Sequence, residues 1–288
     1  MTSSDHSGHE ASRSDDHATS QGLEQPDVRW WGWLGLLIPP CVLSFAARFA
    51  PQVNVGEFWG DQLTYLGSVF TISTTLYVLS YTKSTRLWFG FILFALLSLL
   101  IVSLTDSPGV AAFVMIGTAL MTIGHGIGGM IGSRIQHPGH LLPACVVAAS
   151  FDIASVIHPQ GPSHALVSSE HALPWLTLSF PVFGARAFSP NVGIGDVVFA
   201  ALLLGAAARH GLSRPRFVAL ITAGLIIAGQ LAALLQQAIP ALPIIGICIV
   251  VGVAPARIMR RKERRVAFWF MAASVTLALG VIASRFLA

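Results

Sequence analysis

Long apolar runs alternate with short polar interruptions along most of the chain. Residues 1–28 break this pattern: Ser, Asp and His dominate there and no apolar run occurs. Such a segment buries too little surface to offset its ordering entropy, so it is expected to be a disordered polar tail without a signal peptide. From residue 29 onward the apolar stretches fall at about 30–50, 62–81, 87–104, 109–131, 141–157, 192–208, 217–235, 240–253 and 266–286. Most approach the roughly 20 apolar residues that a helix needs to cross a bilayer. The pattern predicts an all-α membrane protein. Residues 29–288 form one polytopic bundle of about nine transmembrane helices.

Local punctuation refines this picture. Trp30, Trp31 and Trp33 open the first span and fit the headgroup level. Pro39 and Pro40 are expected to kink it. The run Gly124 to Gly129 at the end of the fourth span is dense in glycine, which suits close helix packing in lipid. His125 within it reads either as a proton relay or as a packed, hydrogen-bonded side chain, and the second is favoured. The longest interruption runs from Pro159 to Asn191. Inside it Leu173 to Phe183 alternates apolar and polar residues partway and then meets Pro181. It is expected to be an edge strand, or a segment lying on the interface.

Composition excludes several classes. The chain is 54% hydrophobic and 10% charged, whereas soluble domains carry about 25% charged residues. Its basic balance does not imply nucleic acid, because the arginines gather in short loops as in inserted proteins. Cys41, Cys145 and Cys248 all lie in apolar runs, are odd in number and widely spaced, and predict neither a disulfide framework nor a metal site. His6, His9 and His17 read as part of a solvated tail rather than as metal ligands, and no cofactor is implied. Arginine outnumbering lysine, with abundant Ala and Gly, fits a GC-rich prokaryote and its cell membrane.

The basic residues also give an orientation. Loops after the second, fourth, sixth and eighth spans hold Lys83, Arg86, Arg134, Arg209, Arg214, Arg216 and the run Arg257 to Arg265. The intervening loops hold Arg48 and Arg186. The positive-inside rule puts the first set, and with it the N-terminus, in the cytoplasm.

Two acids stand inside this apolar frame. Asp152 lies in the fifth span, six residues before His158, or roughly 9 Å below the helix mouth at ~1.5 Å per residue. Asp196 follows Gly193-Ile194-Gly195 near the head of the sixth, roughly 5 Å below the mouth on the same side. An intramembrane acid costs at least ~3 kcal/mol and marks a functional site by default. Two carboxyls brought together share a proton, and such a pair activates water against a peptide carbonyl.

The stretches FDIASVIHPQGPSHALVSSE, GIGDVVFAALLLGAAA and AIPALPI resemble presenilin and the signal peptide peptidases, the GxGD intramembrane aspartyl proteases. The resemblance covers roughly Ala148 to Ile247, about a third of the chain. It implies a presenilin-like bundle with a catalytic core at 139–258, catalysis by Asp152 and Asp196, and a site lined by Phe151, Gly193, Gly195, Pro240, Ala241 and Leu242. It implies transmembrane helices of other proteins as substrates, strand pairing of substrate near Leu173 to Phe183, and no need for accessory subunits. Pro159, Gly161 and Pro162 favour presenilin, whereas the outward-facing mouth matches the signal peptide peptidases.

Two departures stand out. Phe151 replaces the family's usual Tyr. The acids and Pro-Ala-Leu fall one helix early in the count, with an extra helix at the end. Competing readings are a prepilin peptidase, an ion- or proton-coupled transporter, and a catalytically inactive scaffold. The first lacks the cysteine cluster and a nearby Lys after Asp196. The second lacks internal repeats. Nothing in the sequence excludes the third.

Overall fold

The structure, a computed structural model, describes residues 29–53, 55–82, 85–104, 109–158, 161, 173–259 and 261–287. The polar tail with its three histidines and most of the loop after the fifth span lie outside the described residues, as do the side chains of Trp30, Trp31 and Trp33. Nine helices of twelve residues or more are found among the described residues. They are α1 (Arg29–Phe49), α2 (Glu57–Leu79), α3 (Thr85–Ser103), α4 (Val110–Gly132), α5 (Leu141–Ile157), α6 (Ile194–Arg209), α7 (Arg214–Leu235), α8 (Ala241–Gly252) and α9 (Arg261–Leu287). Five stretches, in α1, α4, α5, α7 and α9, are long and apolar enough to cross a membrane, and α3 and α8 carry shorter apolar segments. Helix α1 runs unbroken through Pro39 and Pro40.

Apolar side chains fill the interior and also cover much of the surface. Large apolar side chains stand exposed along α3 (Phe89, Leu93, Leu97, Leu100) and α9 (Phe268, Trp269, Phe270, Leu277). Helix α2 instead turns Thr64, Ser68, Thr71, Ser73 and Thr75 inward. Most of these hydroxyls donate to carbonyls one turn back, as in Thr64 to Gly60 at 2.7 Å and Thr71 to Gly67 at 2.7 Å. Ser73 accepts from Thr222 of α7 at 2.7 Å. The buried polar face of α2 is therefore satisfied locally and against α7 except at Thr75, whose Oγ1 has no partner among the described residues.

Glycine sets the spacing at the centre. Gly124, Gly128 and Gly132 recur every fourth residue and form one stripe on α4. A Cβ added at Gly128 would overlap the Val198 carbonyl, and one at Gly132 the Leu202 carbonyl, both on α6. At Gly124 it would come within 2.7 Å of Val197. The expected packing role of this run therefore holds, and its neighbour is α6, the helix that carries Asp196. His125 is buried beside Phe91, with ring centroids 6.3 Å apart. Neither ring nitrogen has a hydrogen-bond partner among the described residues, so the histidine is packed but the expected hydrogen bond is missing.

The long interruption contains a hairpin. After a single helical turn at Leu173–Leu176, β1 (Thr177–Pro181) pairs antiparallel with β2 (Phe188–Gly193). Thr177 faces Gly193 and Pro181 faces Phe188, with a bulge between Leu178 and Ser179. The expected strand within Leu173 to Phe183 is thus β1. The second strand replaces the first turn read for the sixth span, so α6 starts at Ile194 rather than near Val192. All five residues of β1 are buried, whereas most of β2 is partly exposed. The Phe183 N–H donates to Thr64 Oγ1 at 3.1 Å, the Gly184 N–H donates to Ala50 O at 2.9 Å, and Phe188 stacks on Phe113 at 4.5 Å.

These contacts put the hairpin at one end of the bundle, with the last turn of α1 and the first turns of α2 and α4. The other end carries the basic side chains. Arg209 donates to Ser133 O, His210 meets Ile135 O at 3.0 Å, and Arg214 covers the Tyr81 ring at 4.3 Å. His140 bonds Glu263 at 2.9 Å, joining the start of α5 to the start of α9.

The α4–α6 contact yields a first expectation. Gly128→Val should lower thermal stability by about 1–3 kcal/mol through overpacking. Gly90→Val, where an added Cβ meets nothing, should not. Unfolding of the purified variants measures both. Equal losses would show that the close approach is dispensable.

Candidate active site

Asp152 lies near the C-terminal end of α5, which closes at Ile157 as His158 turns extended (φ −75°, ψ 131°). Its own helix offers a carboxylate nothing there, since a helix C-terminus carries partial negative charge. The partner comes from α8. That helix has Pro240 at its N-cap, followed by Ala241, Leu242 and Pro243. A helix start leaves four backbone N–H groups without intrahelical partners. Here two of those four positions are prolines, which have no N–H. Of the other two, that of Leu242 serves Asp152: its N–H donates to Oδ2 at 3.0 Å.

Asp196 is held by its own helix. Gly193 caps α6 in extended conformation (φ −71°, ψ 151°), which puts Asp196 at the third helical position. From there the carboxyl stands close to Gly193, with Oδ2 3.6 Å from where a Cβ there would lie. Gly193 is also the last residue of β2, so the strand pairing fixes the point from which α6 and Asp196 set out. A Cβ at Gly195 would meet nothing, and Gly195 is exposed. The surface beside Asp196 is therefore open.

The two acids lie at the same end of the bundle, and Asp196 is within the electrostatic range of Asp152. Both residues are partly exposed. Each lies at a helix N-terminus, that of α8 for Asp152 and that of α6 for Asp196. Leu242 joins the pair directly through its amide, and Pro240 and Ala241 form the helix start that presents it. Gly193 borders Asp196 as the N-cap of its helix. Phe151 points elsewhere: it is 58% exposed, on the outer surface of α5 beside the acid.

Tyr65 was not legible as a site residue. It sits on α2, within the electrostatic range of Asp196. Its hydroxyl donates to Leu225 O of α7 at 2.6 Å. Its ring lies flat against Gly229, where any added Cβ would overlap it. A tyrosine in an otherwise Thr- and Ser-rich helix gives no periodic signal, and its proximity to Asp196 depends on how α2 and α7 pack. No group of three or more metal-ligating side chains occurs among the described residues. No protein-family model, curated protein or solved structure matches this chain.

The amide on Asp152 makes a quantitative claim. Leu242→Pro keeps a residue tolerated in a first helical turn but removes one donor to the carboxyl. Hydrogen bonds to charged groups contribute roughly 1.5–3 kcal/mol, and that loss is expected in thermal unfolding. Leu242→Ala, which keeps the N–H, isolates the side-chain part. In an Asp152→Asn background the proline should cost clearly less. The same cost in both backgrounds would remove the amide–carboxylate contact as its cause.

Proposed function

We propose that this chain is a multi-pass membrane protein of about nine transmembrane helices and an intramembrane aspartyl endopeptidase, akin to presenilin and the signal peptide peptidases. One observation carries the reading: two acids from separate apolar helices lie at one end of the bundle, each beside a helix start. The broad exposed apolar surfaces of α3 and α9 support the membrane part, since contiguous patches of that kind are rare on soluble monomers. Residues 29–288 form the bundle, with the catalytic core at 139–258.

In this mechanism Asp152 and Asp196 share one proton, because neighbouring carboxyls do not both ionise freely. The ionised one takes a proton from water as the water attacks the scissile carbonyl. The protonated one gives its proton to the carbonyl oxygen. The amide of Leu242 holds Asp152 in place. The open surface at Gly195 admits substrate backbone next to Asp196. Substrates are transmembrane helices of other proteins, unwound so that an extended segment adds to the outer edge of β2, the more exposed strand of the hairpin. That edge leads directly into Gly193 and the acid. The protein works in a prokaryotic cell membrane without cofactor or accessory subunit.

Asp152→Asn and Asp196→Asn should each lower cleavage of a single-pass reporter in proteoliposomes by roughly 10²–10⁴-fold or more. Folding should survive, since an amide is cheaper to bury than a charge. Near-wild-type cleavage by either variant would end the two-acid mechanism.

The basic end is proposed to face the cytoplasm, which turns the acids outward. Impermeant thiol labelling of intact cells, with Cys41, Cys145 and Cys248 removed, tests this. Ala185→Cys in the hairpin turn should label and Ser213→Cys, before α7, should not. The opposite pattern would invert the topology and leave the chemistry standing.

A further inference from the structure

The run from Arg257 to Arg265 contains a single acid, Glu263. In the structure Glu263 turns away from the arginines and bonds His140 at 2.9 Å. Arg257, Arg264 and Arg265 are all exposed and have no carboxylate partner among the described residues. They line a cleft of about 810 Å³ between the start of α9 and the 3₁₀ turn Ala254–Arg257.

The other walls of this cleft are apolar. Phe268 and Met271 lie on the same face of α9 as Arg264, one and two turns further along. At ~1.5 Å per residue they sit roughly 6 and 10 Å below it. Leu142, at the head of α5, closes the opposite side. Trp269, 63% exposed beside Phe268, is of the type that marks the headgroup level. The floor is fixed rather than adaptable: any Cβ at Gly139 would overlap the Ile258 carbonyl, so the turn before α5 and the loop before α9 interlock.

The geometry points to a binding site for an anionic glycerophospholipid. Its phosphate is held by Arg257, Arg264 and Arg265, and an acyl chain runs down Phe268 and Met271. Guanidinium groups match phosphate oxygens in charge and in hydrogen-bond geometry. Basic pockets between helices on the cytoplasmic side are suited to acidic headgroups. Orientation alone requires positive charge somewhere in this loop. It does not require three uncompensated arginines above an apolar channel. The acidic polar tail at residues 1–28 is the other candidate occupant on charge, with six acids and one arginine. It has no apolar run to fill the lower half of the cleft. The inference rests on the membrane reading of the chain and is independent of hydrolysis.

The test measures association of spin-labelled phosphatidylglycerol and phosphatidylcholine with the full chain in phosphatidylcholine nanodiscs. The wild-type protein should prefer phosphatidylglycerol, and each arginine lost should lower the preference roughly fivefold. Arg257→Gln with Arg264→Gln leaves enough positive charge in the run to hold orientation and should bring the preference close to parity. Arg264→Lys should retain most of it, which separates charge from misfolding. Parity in the wild type, or an undiminished preference in the double variant, would overturn the site. Displacement of the labelled lipid by soluble glycerol phosphate as readily as by short-chain phosphatidylglycerol would also overturn it, in favour of a free-anion site. A chain lacking residues 2–28 should show the wild-type preference. A clear rise on deletion would assign the cleft to the tail instead.

Discussion

The contact on which this architecture turns is the bond between the Leu242 amide at the start of α8 and the carboxyl of Asp152. The sequence Pro240-Ala241-Leu242-Pro243 makes it unusually specific. An ordinary helix start presents four free N–H groups, which water or a capping side chain satisfies. Here prolines remove two of the four, and one of the two that remain, that of Leu242, donates to the carboxyl. The helix end is thereby left with few free donors, and the acid near the C-terminus of α5 gains the positive end of another dipole. Neither part is stable alone in an apolar setting. A helix start without partners leaves buried polar groups, and an acid without donors is an isolated charge. The two requirements cancel, and that binds α5 to α8.

The second acid is fixed by different means. Asp196 is placed by the start of its own helix, because Gly193 is the N-cap of α6 and the hairpin gives Gly193 its position. What α6 requires from the rest of the fold is depth, and the glycine stripe of α4 supplies it. Val198 and Leu202 carbonyls rest where side chains would otherwise stand. Without water inside a membrane to drive association, such close backbone contact is a main source of helix affinity. The site thus combines a long-range hydrogen bond that places Asp152 with a packed helix that places Asp196. Tyr65 closes the third side by joining α2 to α7 over Gly229.

Much of this was legible in the sequence. Acids are so rare in apolar spans that Asp152 and Asp196 stood out. The prolines around Ala241 and Leu242 marked a helix start, and Gly124 to Gly129 marked a close contact. The helix order followed from hydropathy because each interruption carries charge, glycine or proline. What escaped has physical reasons. The helices α2 and α9 begin at Glu57 and Arg261, several residues before the apolar runs, because charged first turns extend a helix without adding hydropathy. Strand β2 reads as Ser-Pro-Asn-Val-Gly after Phe188 and has no alternation. It exists through its pairing with β1 and not through its own pattern. The exposure of Phe151 was hidden because one residue along a helix turns a side chain by about 100°. The motif position next to Asp152 therefore does not share its direction.

The two ends of the bundle follow opposite electrostatic logic. At the basic end, cations outnumber their partners and the one acid of the last loop is committed to His140. At the other end, Asp152 is met by a backbone amide and Asp196 lies at a helix start, and the described basic side chains near it include Arg48, His158 and Arg186. An arginine beside a carboxyl would hold it permanently ionised, which suits a structural ion pair and defeats a proton-sharing one. Backbone amides stabilise charge without fixing it, because they remain neutral whichever carboxyl carries the proton. A pair that must exchange roles within one catalytic cycle needs donors of that kind. On the proposed reading, the scarcity of cations near the acids and their surplus at the far end are therefore one arrangement. Charge that orients the protein in the membrane is kept a full helix length from charge that does chemistry.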